Sequence, residues 1–188
     1  SSVKALDEAL VRNQSQSGSN GPTREFSLIP TRGFTMELSG QVADACWAGQ
    51  YESISAEFPN ITSVMMKRGE VGSKDERLVG SMLMIETTDE DGEGVLVMRG
   101  INPIENFVNK VQIADFYRVV SEYCKDTAAK RGLKPAVVID EDSGMSGTNR
   151  PIVHEFMNKM KDSLDRVVVN TDDSTFNGFD ISQKTFAI

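Results

Sequence analysis

The residues able to do chemistry fall in four places. Cys46, followed by Trp47, sits early in a segment that reads as a helix. A thiol near a helix N-terminus has its pKa lowered toward the nucleophilic thiolate. His154 is the single histidine and so the one imidazole able to serve such a thiol as base. On its helix it falls at the border of the apolar stripe, roughly 100° round from Val153, where it can face a cleft or water. In the plainer reading Cys46 is a small core residue beside Val42 and Ala45, and His154 is solvated. Cys124 lies on an apolar helical stripe and reads as packing.

The second place is Arg99-Gly100-Ile101-Asn102-Pro103, which follows an apolar strand and precedes a helix. That is where α/β sheets hold ligands. The alternative is that Asn102 caps a helical turn opened by Pro103, with Glu105 closing a capping box. The third is Ser146-Gly147-Thr148-Asn149-Arg150-Pro151. Arg150 beside a helix N-terminus can take a phosphate or carboxylate, or Thr148 or Asn149 can simply cap the helix while Arg150 is exposed. The fourth is Asp140-Glu141-Asp142. Clustered carboxylates after a strand can hold Mg²⁺ or Ca²⁺ or act as a base. The EF-hand spacing is absent, so a solvated acidic loop is the simpler reading, and no metal site is expected.

The elements that position these residues follow from periodicity. Ser1–Arg12 has the spacing of a short helix, and Asn13–Pro22 has no apolar residue and reads as a flexible linker. Residues 1–23 are thus expected to be a helix and linker, and residues 24–188 one domain. Phe26–Ile29 is a first strand, and Ser39 caps a helix over Gln41–Glu57. Ile61–Lys67, Leu78–Thr87 and Val95–Arg99 are strands joined by short turns, hence an antiparallel meander. Ile113, Phe116, Val120, Tyr123, Cys124 and Ala128 form the stripe of a long helix that stops at Gly132. Ala136–Ile139 is a buried strand. Val153, Phe156, Met157, Met160 and Leu164 mark a further helix. Val167–Asn170 and Ile181–Ala187 are the last strands, with Asn177-Gly178 in the turn between them. The fold class is α/β with a mixed sheet: a meander followed by βαβαββ.

Composition narrows the partners. The net charge of -8 over 188 residues opposes duplex nucleic acid and anionic membrane. No apolar run reaches the roughly 20 residues of a membrane span. Two cysteines are too few for a disulfide framework, which points to a reducing, cytoplasmic setting.

This order of elements, from about Gln41 to Ile188, resembles the acetyltransferase fold of the GNAT superfamily. There a meander leads into a strand, a long helix, a strand, a second helix and a final strand pair. The resemblance implies an acyl-CoA-dependent N-acyltransferase acting on a small-molecule or protein amine, with acetyl-CoA or another acyl-CoA as cofactor. The thioester would lie against strand amides near Met98, Arg99 and Gly100. The pyrophosphate would sit along the loop through Asn102 to Lys110, with Asn149 and Arg150 across from it. The acidic surface suits a cationic amine.

The chain departs from the family's Gln/Arg-x-x-Gly-x-Gly/Ala loop. It reads Asn102-Pro103-Ile104-Glu105-Asn106-Phe107-Val108-Asn109-Lys110 instead. Pro103 removes an N–H donor, and Glu105 puts negative charge where phosphate would bind. That departure motivates a second expectation, a non-catalytic binding or regulatory module on the same scaffold, tethered to a partner through the N-terminal linker. A thiol hydrolase using Cys46 and His154 is the third. Segments such as Arg-Gly-Ile-Asn-Pro and Thr-Asn-Arg also resemble those of uncharacterised bacterial proteins.

Overall fold

The computed structural model describes residues 26–31, 34–45, 48–49, 57–70, 72–141, 146–170 and 180–188. The expected N-terminal helix and linker, Cys46, Asp142 and the Asn177-Gly178 turn lie outside these residues. The described elements are β1 (Phe26–Thr31), α1 (Phe34–Val42), β2 (Ile61–Arg68), β3 (Arg77–Thr88), β4 (Gly94–Pro103), α2 (Glu105–Val108), α3 (Ile113–Arg131), β5 (Lys134–Val138), α4 (Pro151–Lys161), β6 (Arg166–Val167) and β7 (Thr185–Ala187).

Among the described residues the strands form one seven-stranded sheet in the order β1-β2-β3-β4-β5-β7-β6. The first four strands are antiparallel neighbours, as their short connections require. β4 and β5 run parallel, so the chain must cross over between them, and α2 and α3 supply that crossover. β7 lies between β5 and β6, antiparallel to both.

Both faces of this sheet are covered. Leu96 and Met98 of β4 join Phe107, Phe116, Val120, Cys124, Val153 and Met157 in a core beneath α3 and α4. Val95 and Val97 point the other way, into a second core with Met36, Ile61, Leu83, Ile85 and Ala136. A strand buried on both faces reads as an unbroken apolar run, and Val95-Leu96-Val97-Met98 is one. The aromatic nucleus is Phe26, with its ring 5.2 Å from Phe107 and 5.5 Å from Phe116. α3 matches its sequence boundaries, and Gly132 ends it with φ of 68°, a left-handed conformation that glycine adopts without a Cβ clash.

The first helix differs from expectation. α1 spans Phe34–Val42, so Ser39 lies within a helix instead of capping one, while much of the helix expected over Gln41–Glu57 falls outside the described residues. The Ser39 hydroxyl bonds the Met36 carbonyl at 2.8 Å, a back-bond that Ser makes inside helices. It also meets Ser63 of β2 at 3.3 Å, and Ser81 of β3 donates to it at 3.2 Å. Ser63 and Ser81 are themselves 3.3 Å apart. All three are fully buried, so this ring of hydroxyls adds polar contacts to the apolar one that Met36 makes between α1 and the sheet.

The β3–β4 turn carries an ion cluster. Asp89 accepts the backbone N–H groups of Glu93 at 2.9 Å and Asp91 at 3.0 Å, and Lys134 at 3.1 Å. Lys134 also pairs with Glu93. The Glu93 amide is the main reason that the Asp89 carboxyl titrates below its ordinary value, with Lys134 adding to it. A depressed carboxylate stabilises the fold above its unfolded pKa, and that contribution is lost as pH falls through the folded value. Carboxyl NMR titration should therefore place Asp89 below 3.8. In Lys134→Met it should remain depressed, because the backbone donors stay. A return to 3.8 in that variant would make Lys134 the main cause.

Candidate functional site

The site is built where β4 leaves β5. Their pairing ends at Met98↔Val137, while β4 runs on to Pro103 beside β3. Opposite β4, Leu83 pairs with Arg99 and Ser81 with Asn102, so two steps on β3 face three on β4. The extra residue is a bulge, and Gly100 within it has φ of 55°. A bulge with a left-handed glycine bends its strand and re-aims the amides beyond it. Residues 100–103, expected as a loop, are strand for this reason.

The re-aimed amides are not vacant. Gly100 N–H donates to Ser146 O at 2.9 Å, and Ile101 N–H to Gly147 O at 2.8 Å. The segment from Ser146 to Arg150, which is bend and coil, therefore occupies the opening between β4 and β5. It is held along its length. Gly147 N–H donates to Asp140 Oδ2 at 2.8 Å, and Thr148 Oγ1 to Ile101 O at 2.6 Å. Asn149 N–H donates to Asn102 Oδ1 at 2.8 Å, and Asn149 Nδ2 to Asp44 O at 2.9 Å. Arg150 Nε donates to Pro103 O, and its Nη2 to Ala43 O at 3.0 Å. Ser146, Gly147 and Thr148 are buried.

Sequence expectations sort clearly against this geometry. Gly100, Asn102, Asn149 and Arg150 do come together, from positions 47 residues apart in the case of Asn102 and Asn149. Their contacts are with one another and with backbone. Asn102 does not cap α2, whose N-cap is Ile104; its carboxamide receives the Asn149 amide instead. Thr148 does assist the entry to α4, since its Oγ1 accepts Arg150 N–H at 3.1 Å. Arg150 is half-buried rather than free. The Met98 side chain is in the core, and Arg99 is buried at 2% exposure. Lys110 is exposed in the turn after α2, away from the joined residues.

Asp140 corrects the reading of its acidic run as a solvated loop. It is 2% exposed, pairs with Lys184 at 3.2 Å and anchors Gly147. Its place directly after Val137-Val138-Ile139 was the available signal, since a residue continuing a buried strand is itself drawn inward. Asn158 Nδ2 donates to Asp140 O at 3.0 Å and lies 3.0 Å from His154 Nε2. His154 thus has a carboxamide neighbour on its own helix. Cys124 is sunk beneath α3 with its Sγ 3.7 Å from Leu96 O, and burial pushes its thiol up to about 12, the reverse of an activated nucleophile. Among the described residues no group of three or more His, Cys, Asp or Glu could hold a metal, and no helix is long and apolar enough to cross a membrane.

Beside the filled opening lies an exposed groove of about 510 Å³. Val42, Asp44, Ile104, Glu105, Asn106, Asn109 and Arg150 line it. It is polar and open, and two of its side chains are carboxylates.

Fold and site together define a mixed α/β protein with a self-paired sheet opening. No family model matches the chain, and no curated protein matches it with significance.

Gly147 tests this geometry directly. A Cβ there would stand 2.5 Å from the Val138 carbonyl oxygen, a backbone atom that cannot step aside. Gly147→Ala should lower the unfolding free energy by about 1–3 kcal/mol in urea melts, as overpacking does. It should also speed exchange of the Gly100 and Ile101 amide protons. Unchanged stability and exchange would mean that the segment does not sit between the strands. For the thiol, Cys46→Ser protein should take up no iodoacetamide at neutral pH while folded and one equivalent once unfolded.

Proposed function

We propose that this chain is a non-catalytic binding module on a GNAT-like acetyltransferase scaffold, with its cofactor opening taken up by its own backbone. The observation that carries this reading is the pairing of the Gly100 and Ile101 amides with Ser146 and Gly147. In the acetyltransferases that the chain resembles, the thioester lies at the splayed strands, where a strand amide would polarise its carbonyl. Here those donors are satisfied inside the fold. Expelling Ser146–Arg150 would also break its bonds to Asp140, Ile101, Asn102, Pro103 and Ala43. A buried polar group left unpaired costs about 1–3 kcal/mol, and a thioester arm replaces only a few of these bonds. The loop that would cradle pyrophosphate lacks an N–H at Pro103 and carries exposed Glu105. The groove beside it, with Asp44 and Glu105 in its wall, suits a partner that presents amine or other basic groups.

The strand order favours a second reading, an N-acyltransferase. A meander, one parallel pair flanking a long helix, and a final antiparallel pair follow the pattern of that family. In this reading the acyl-CoA displaces Ser146–Arg150, and the groove receives the acceptor amine.

Calorimetric titration with acetyl-CoA at millimolar concentration, together with a thermal melt, separates the two. The binding-module reading expects no heat and no change in Tm. A one-to-one isotherm with faster exchange at Gly100 and Ile101 would overturn it and establish the transferase-type site.

A further inference from the structure

A second cavity, of about 350 Å³, opens on the far side of β5 from the bulge. Its wall includes Ile139, Asp140, Glu141, Arg166, Lys184 and Phe186. In an acidic protein, cations gather here. Arg166 lies over the Phe186 ring, its guanidinium carbon 5.3 Å from the centroid, and its Nη1 donates to the Gln183 carbonyl. Lys184 reaches in from the turn before β7 and pairs with buried Asp140. Lys161, at the end of α4, stands behind Glu141 with its ammonium 3.6 Å away.

Glu141 is the telling residue. Its Oε1 accepts from Arg166 at 3.2 Å while facing Lys161, yet its side chain is 63% exposed. A carboxylate so exposed is held weakly and can turn out into water at little cost. Counting Glu141, which stays in the wall when it turns out, three cations from three elements stand with two carboxylates, a local charge of about one positive unit. A phosphate monoanion balances that charge, and its oxygens can accept from Lys184 and from the Arg166 Nη2 that Glu141 releases, while Nη1 stays on the Gln183 carbonyl. Ile139 and Phe186 provide apolar wall for a small organic group attached to the phosphate.

The geometry points to a phosphate-binding site in this cavity, with Arg166 and Lys184 as donors and Glu141 as a resident competitor that the ligand displaces. Free phosphate and the head of a small phosphomonoester share this chemistry. The site lies beyond β5 from the β4–β5 opening, shares Asp140 with it through that residue's other oxygen, and does not require acetyl-CoA to bind or to be excluded.

The test is NMR titration of the folded chain with inorganic phosphate and, separately, phenyl phosphate, following the Arg166 side chain and the amides of residues 139–141 and 183–184. Saturable shifts confined to this cavity are expected, tighter for phenyl phosphate if an ester is the ligand and equal if the free ion is. Glu141→Gln, an exposed and isosteric change, should tighten binding by about threefold, the scale of an exposed ion pair removed. Arg166→Gln should weaken it by tenfold or more, with Lys159→Gln, remote on α4's solvent face, without effect. No saturable shift in either the unaltered chain or Glu141→Gln at 20-fold excess of millimolar phosphate would overturn the proposal. So would equal affinities in the unaltered chain, Glu141→Gln and Arg166→Gln.

Discussion

Two buried amide protons set the problem that this fold solves. Once the bulge at Gly100 turns β4 away from β5, the N–H groups of Gly100 and Ile101 face an opening inside a two-sided sheet. Water is excluded there, and an unpaired amide in such a place is costly. The chain answers with Ser146 and Gly147. Much of the local architecture follows from that answer. The segment must be thin where it passes Val138, which is why a glycine stands at 147. Its far end must reach α4, and Arg150 clamps that junction to the carbonyls of Pro103 and Ala43. β4, α1 and α4 are thereby joined at a single corner.

Asp140 is the counterweight on the other side of β5. One oxygen takes the Gly147 amide and the other takes Lys184. A buried carboxylate paired in this way fixes direction more than it adds stability, since desolvation offsets most of the Coulomb attraction. The scaffold itself does not decide an activity. In this molecule the backbone of Ser146 and Gly147 fills the opening beside β4.

Much of the fold was legible before any coordinates. α3 appears with its sequence boundaries because its stripe runs for five turns and a glycine follows it. The meander and the apolar β4 were legible because short polar turns separate apolar runs that are buried on both faces. Two features were not. The place of Ser39 inside α1 was one, since Ser39 looks like a cap in isolation and only the facing serines of β2 and β3 explain it inside a helix. The filling of the opening was also hidden. Residues Ser146 to Arg150 carry ordinary helix-entry chemistry, and their pairing with Gly100 to Pro103 spans nearly fifty positions with no periodic trace. The right residues could be gathered from their types, as Asn102, Asn149 and Arg150 were. That their N–H donors are taken up within the fold, with Asn149 Oδ1 left unpaired, is a matter of distance.

The serine ring has a consequence of its own. Ser39 spends its single proton on Met36, and Ser81 gives its proton to Ser39. Ser63 is then left with one hydrogen and two neighbouring oxygens, each 3.3 Å away. It can point to either without moving a heavy atom. One buried proton at the seam between α1 and the meander therefore has two equivalent acceptors within reach, and a choice of orientation survives where the backbone around it has none.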